Sequence, residues 1–415
     1  MVRSIGSLFA RLTTSNRQPE PQPFAATSVS RVEDDASGKL NIPIANMNEE
    51  EQIGHRAIER GRHLARQGLW SQLSSEMRTT DKAGETYPLT ELLAFGARSD
   101  VVLAVEHALS GGAEIADYDL LCGISELEGE MNDHPDDPMI GLVVARAHID
   151  LAWAWRGNVP EAKLPKLHLS RCTAHFDRAA AILKKCREQA SNSPAIAAAD
   201  CALLAGHRTD EVRTGYKFEK LIELDPYNHR HMRALGTHLL PRWFGSYETL
   251  ENLALRVAAS TQAIWGAGGY TWVQFDAIAH DDEACARVDV EYFLDGLRDI
   301  VTRRPNQDMI NLLAAYCAIT LKNQMGRHAE ADEVRQQICD AADWLIRDHL
   351  TELHPLIWAH AANGFDDSLR INSAERFAAG GHRDALRAIG NLFRDELLSG
   401  TSVTFTPSGL QFKNN

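Results

Sequence analysis

Apolar positions recur every three to four residues along most of the chain, the spacing that lines one face of an α-helix. The pattern is clearest from Phe218, where Phe218, Leu221, Ile222 and Leu224 share one stripe. Asp225-Pro226 ends it, because the residue before proline avoids helical backbone and proline has no N–H to give. Helix is expected to resume after Asn228, with Met232, Leu235, Gly236 and Leu239 on one face, and to stop at Pro241. Upstream, Ile53, Ala57 and Leu64 form a stripe, Gly68 breaks it, and Leu69, Trp70 and Leu73 begin the next. Two stretches depart from the helical period. Residues 13–48 carry Pro19, Pro21, Pro23 and Pro43 among polar residues and read as a disordered linker. Val403–Phe412 alternates apolar and polar around Pro407-Ser408-Gly409, the period of a small β-hairpin.

Several finer expectations follow. Leu89–Leu109 reads as two helical segments, Gly266–Gly269 as a loop, and Asp384–Leu398 as the last helix. Ser246 is placed to cap the helix that follows it.

The order in the Phe218 stretch is an aromatic, an aliphatic, a proline, then a helix with a Leu-Gly pair. It looks like the junction of two tetratricopeptide (TPR) repeats. Gly236 would let two helices approach closely at that level. Gly68 with Trp70, and the segment Gly326–Val334, repeat the turn. The expected fold is all-α: a right-handed, TPR-like solenoid of antiparallel helix pairs. Its divisions are a disordered arm over 1–48, helical hairpins over 49–134, a TPR-like core over 135–300, further hairpins over 301–400, and a β-hairpin tail over 401–415.

Composition narrows the function classes. The net charge of −14 disfavours a general nucleic-acid binder, which needs a basic footprint. The acid is concentrated in Glu114–Asp137, read as a helix with one buried face, and His168–Gln189 carries Arg171, Arg178, Lys184, Lys185 and Arg187. The basic helix is placed to neutralise the acidic one within the molecule; otherwise the acidic face would dock a basic segment. The Asn132–Asp137 tail lacks the spaced oxygens and central glycine of an EF-hand loop. Seven cysteines, with no C-x-x-C pair and sitting in apolar patterns, read as reduced core residues of a cytoplasmic protein. No apolar run approaches the ~18–20 residues of a membrane span. Residues 1–12 carry Val2, Ile5, Phe9 and Leu12 on one face with Arg3 and Arg11 off it. They form either a frayed terminus or a short amphipathic helix for a membrane surface or a partner's groove.

The most distinctive chemistry follows Leu240: Pro241-Arg242-Trp243-Phe244-Gly245-Ser246. Arginine offers a planar fork for a carboxylate and tryptophan a flat apolar wall. The plainer reading has Trp243 filling a gap between helix pairs and Arg242 capping helix carbonyls. Together with Ala152-Trp153-Ala154-Trp155-Arg156-Gly157, this segment resembles an uncharacterised bacterial family of TPR-like proteins, a domain of unknown function. That family has Pro-Arg-Trp-Gly-Gly and Ala-Trp-x-x-Arg-Gly segments; Phe244 stands where it has glycine. The resemblance covers roughly residues 135–300 and implies a fold, not an activity.

Trp153, Trp155, Arg156, Arg242, Trp243 and Tyr247 are therefore the candidates for a binding groove or its frame. The chain has no H-E-x-x-H, G-x-S-x-G or phosphate-cradling loop. His55, Glu59 and His63 have metal-compatible spacing, and His229, His231 and His238, or His280 with Asp281 and Asp282, form looser sets. Histidines at such spacings are usually hydrogen-bonded or solvent-facing, and no cofactor or metal is expected. The expected function is a non-enzymatic scaffold or adaptor binding a protein or peptide. The alternative is a small-molecule-binding or metal-dependent enzyme with its site between helices.

Overall fold

A computed structural model describes residues 39–45, 49–82, 88–110, 117–157, 163–206, 211–243, 245–365, 371 and 373–414. The described residues form two compact units. One runs from Glu50 to Thr249; the other runs from Leu250 onward and includes residues 39–45 and Glu49. The division lies inside the 135–300 segment that the sequence pattern kept together.

The first unit is built from α1 (Glu49–Arg66), α2 (Trp70–Thr80), α3 (Leu89–Ser110), α4 (Asp117–Asp133) and α5 (Pro138–Arg156). They are followed by α6 (Lys166–Gln189), α7 (Pro194–Ala202), α8 (Glu211–Leu224) and α9 (His229–His238). The centre is α5, buried without interruption from Pro138 to Ile149, as a helix that is apolar on nearly every side must be. It packs against α6, α3, α4, α7 and α2. Its start is fixed twice over. Pro138 occupies the first turn, and the Asp137 carboxylate accepts the N–H groups of Met139 and Ile140.

The turns read from sequence fall where expected. Gly68 takes φ +67° between α1 and α2. Asn228 caps α9 by accepting the Arg230 N–H. Leu89–Ser110, expected as two segments, is one helix. Gly96 does not break it, because its backbone lies against α1: a Cβ there would stand 1.9 Å from the Ile58 carbonyl oxygen. Gly61 answers from α1, where a Cβ would lie 2.1 Å from the Leu93 oxygen. The two helices thus touch backbone to backbone.

The second unit comprises α10 (Tyr247–Trp265), in whose first turn the division falls, then α11 (Gly268–His280), α12 (Asp282–Arg287), α13 (Val290–Arg303) and α14 (Gln307–Ala315). A π-helical turn, Tyr316–Thr320, continues α14. After α15 (Ala329–Cys339) and α16 (Ala341–Trp344) come α17 (Pro355–Ala362), α18 (Ala374–Leu392) and α19 (Arg394–Leu398). A sheet follows, of β1 (Leu40–Asn41), β2 (Thr401–Thr406) and β3 (Gly409–Asn414), in the order β1-β2-β3. The expected hairpin is β2–β3, antiparallel with Val403 opposite Phe412. The added strand is unexpected: Leu40 pairs in parallel with Val403. Residues 39–45 are therefore ordered, contrary to the reading of 1–48 as a disordered arm. Residues 1–38 and 46–48, with the amphipathic segment 1–12, lie outside the described residues.

Two readings are corrected, one of a loop and one of a helix start. Gly266 ends α10 at φ +61°, but Gly268 and Gly269 are buried in the first turn of α11 rather than forming a loop. The last long helix begins at Ala374, not Asp384, with Ser373 as its cap. Gly380-Gly381 looks like a break, yet Gly381 is the point where α18 meets α17, a Cβ there falling 2.2 Å from the Pro355 oxygen.

Candidate functional site

The six candidate residues fall into two places. Trp153 and Trp155 belong to the packing of α5 on α6. The Trp153 ring stands edge-on to Phe176 at 5.6 Å, and buried Trp155 stands edge-on to His168 at 5.1 Å. His168 Nδ1 also reaches the Trp155 carbonyl at 3.0 Å. Trp155 belongs to the core of the first unit, and Trp153 is half-buried against that core. Arg156 is half-buried in the last turn of α5.

Arg242, Trp243 and Tyr247 share the turn between α9 and α10. Pro241–Trp243 forms a 3-10 turn closed by the Trp243 N–H on the Leu240 carbonyl at 2.8 Å. Arg242 is exposed there, while Trp243 and Tyr247 are half-buried. The Trp243 indole N–H is itself buried and meets no acceptor among the described residues. Gly245 leaves no room for a side chain, since a Cβ would lie 2.0 Å from the Leu239 oxygen. Ser246 caps α10 as expected, accepting the Thr249 N–H at 3.2 Å and donating to Glu211 of α8 at 2.8 Å.

Sequence reasoning missed a buried polar network centred on α5. Arg146 donates to Glu91 of α3 at 2.9 Å, and both side chains are almost completely buried. Asp150 accepts from Arg98, also of α3, at 2.8 Å. Burial pushes the Glu91 carboxyl up, with Arg146 and then His231 opposing it. His231 in turn lies 3.0 Å from Asp225. At the end of α2, Asp81 accepts the Ala195 N–H and so caps α7.

The third polar residue of α5, His148, sits between α4 and α6. Its Nε2 lies 2.9 Å from Glu128 and its Nδ1 lies 2.9 Å from Nδ1 of His175. Arg178 grips Glu128 with two bonds of 2.8 and 3.1 Å. This is the neutralisation expected between the acidic helix and the basic one. Burial alone would raise the Glu128 carboxyl, but the Arg178 bonds and charge hold it below the usual range. Glu128 is thus an anionic acceptor, so His148 carries its proton on Nε2. Burial pushes His148 down against the pull of Glu128, favouring the neutral ring, whose Nδ1 is a lone pair to which His175 donates. Burial, then His148 and Arg171, push His175 down to about 4. The protons point one way along the line, from His175 to His148 to Glu128, leaving His175 Nε2 as an acceptor.

No protein-family model, curated protein or solved structure matches the chain.

The remaining histidine sets do not converge. His55, Glu59 and His63 are exposed on α1, and Glu59 pairs with Arg62 at 2.6 Å. His238 donates from Nδ1 to the Ala234 carbonyl at 2.7 Å, and its ring lies tilted against Phe218 at 4.9 Å. Asp281 caps α12, and Asp282 pairs with Arg335. Among the described residues, no three His, Cys, Asp or Glu side chains are arranged to hold a metal ion, and no helix is long and apolar enough to cross a membrane. None of the seven cysteines is paired in a disulfide with another, and Cys122, expected in the core, is exposed.

Proposed function

We propose that the chain is a non-enzymatic, TPR-like protein- or peptide-binding scaffold acting in the cytoplasm. The observation that carries this reading is an exposed apolar stripe on α8. Val212 and Tyr216, one helical turn apart, are 78% and 67% exposed. The Glu211–Ser246 bond ties the start of α8, next to Val212, to the turn that carries Arg242, Trp243 and Tyr247. Exposed apolar side chains grouped beside an aromatic and an arginine are the usual makings of an interface centre. The glycine-mediated helix contacts support the TPR-like part, and the Pro-Arg-Trp segment supports the resemblance to the uncharacterised bacterial family. By contrast, the titratable groups of the α5 network are committed to one another.

The test is affinity capture from the host at native level, comparing wild type with Val212→Ser/Tyr216→Ser and with Arg242→Ala/Trp243→Ala. A stoichiometric partner lost from folded variants supports the reading. A partner retained by both, or none in any capture, overturns it.

A second reading rests on the His148–His175 pair: a small-molecule or metal-dependent enzyme with its site between α5 and α6. Two imidazoles already within 3 Å, with a carboxylate behind one of them, resemble a ligand pair with outer-shell support. Elemental analysis decides the metal version. Stoichiometric metal that disappears in His148→Ala supports it, and a metal-free wild type removes it.

A further inference from the structure

The segment Lys39–Ala45 lies in a cleft whose walls are built without it. One wall is β2, held by its antiparallel pairing with β3 and by Phe405 standing edge-on to Phe393 at 5.9 Å. The other wall is the turn 350–354. Gln307 Oε1 accepts the Thr351 N–H there at 2.9 Å. Asn311 accepts the His354 N–H and donates to the Glu352 carbonyl, both at 3.0 Å. Neither set of bonds involves residues 39–45, so each wall has supports of its own.

The segment fits this cleft as an extended peptide. Val403 N–H donates to the Lys39 carbonyl at 2.8 Å, and Leu353 N–H to the Pro43 carbonyl at 2.8 Å. Ala45 N–H donates back to the Leu353 carbonyl at 2.9 Å. Leu40 and Ile42 point inward and are 9% and 8% exposed, while Asn41 and Pro43 face out. Pro43 holds Ile42 extended and presents no N–H, and none is needed on that side. Recognition thus uses a few backbone bonds and two alternate side chains, the pattern of strand addition to a sheet edge. The regular ladder with β2 is only two residues long.

We propose that this cleft is a binding site for extended peptides with aliphatic residues at alternate positions ahead of a proline, and that residues 39–45 occupy it as a displaceable internal ligand. The proposal is independent of the α8 surface. The anchors are the two inward aliphatics and the backbone bonds. A competing peptide of the same pattern therefore displaces the segment without disturbing either wall.

The probe is a dye-labelled synthetic peptide of sequence GKLNIPIAN, residues 38–46, used with the full chain and with Leu40→Asp/Ile42→Asp. Binding to the double variant is expected to be at least tenfold tighter than to wild type, whose own segment competes. A peptide with aspartate at both inward positions should bind neither. Failure of the probe to bind a double variant that keeps its helical circular dichroism overturns the proposal. Should that variant not fold, amide exchange on the wild type decides. The Val403 and Leu353 amides should exchange at least tenfold faster than the core amide of Leu313, and equal protection overturns the proposal. A wild-type dimer that dissociates in the double variant would assign the cleft to segment exchange between copies, and would also overturn it.

Discussion

His148 and His175 face each other Nδ1 to Nδ1 at 2.9 Å, and only one of those nitrogens can carry the proton. The Glu128 carboxylate on the far side of His148 decides which. At pH 7, long-range proton–nitrogen NMR should show His148 as the Nε2–H tautomer and His175 as the Nδ1–H tautomer. His175→Leu would strand the His148 lone pair in the interior, and a buried polar group left without its partner costs about 1–3 kcal/mol. Urea denaturation measures that loss. A cost below about 0.5 kcal/mol would mean that the site relaxes and the hydrogen bond contributes little.

Stability should fall on both sides of neutrality, through different rings. Burial holds His238 at about 4, and His360 likewise. Burial, with His148 and Arg171 adding to it, does the same to His175. Below the ordinary value of 6.5 the unfolded chain takes up protons that the fold refuses. The stabilisation from these rings is therefore complete above 6.5 and is lost as pH falls to about 4. Each tenfold displacement of a protonation equilibrium is worth about 1.4 kcal/mol, so even partial displacement at three rings is measurable. His354 has the opposite sign. Burial disfavours its charge, but hydrogen bonds and charges from Asp308 and Glu352 outweigh that and raise it. Its contribution is complete below 6.5 and fades as pH rises through its folded value. Thermal melts across pH should show acid loss flattened in His238→Phe and alkaline loss flattened in His354→Gln.

The helices were legible because their signals are local. Asp225-Pro226, Asn228, Ser246 and Gly68 act within one turn of themselves, and each ends or caps a helix where the pattern placed it. The misread glycine is Gly269, expected in a loop; like Gly96 and Gly381, it marks a place where another helix comes too close for a Cβ. The candidate site was less legible for the same reason. Trp153 and Trp155 look like groove residues until Phe176 and His168 are set against them. The α5 network joins Glu91 to Arg146 across a separation of 55 residues, and His148 to His175 across 27. No periodicity carries such pairings. The one long-range pairing anticipated, acidic α4 with basic α6, was visible because charge accumulates along a helix and can be summed from sequence.

Gly245→Ala should destabilise the turn that carries Trp243. The Leu239 oxygen lies 2.0 Å from where the new Cβ would go, and Leu239 is completely buried, so neither side can move freely. Forcing a methyl group into a packed site costs about 1–3 kcal/mol. Chemical denaturation should show that loss, and Trp243 fluorescence should shift with it. Gly390→Ala is the control. Nothing lies within 4 Å of a Cβ at that position, and in a helix the change should be neutral or slightly stabilising.

Glu91 and Arg146 allow a prediction in which two changes do less harm than one. Both are buried, at 6% and 3% exposure, and each neutralises the other at 2.9 Å. Arg146→Met removes the guanidinium bonded to the Glu91 carboxylate, and Glu91→Leu removes the carboxylate bonded to that guanidinium. Removing one member of a buried ion pair costs about 3–5 kcal/mol. The double change leaves no uncompensated charge, and a well-packed apolar pair in place of a buried ion pair is often neutral or better. Denaturation of the two single variants and the double should therefore show strong non-additivity, the double lying well above either single. Additive losses would mean that the pair is not the unit. In that case the neighbouring Asp225–His231 couple, whose charges also act on Glu91, would be taking up the stranded charge.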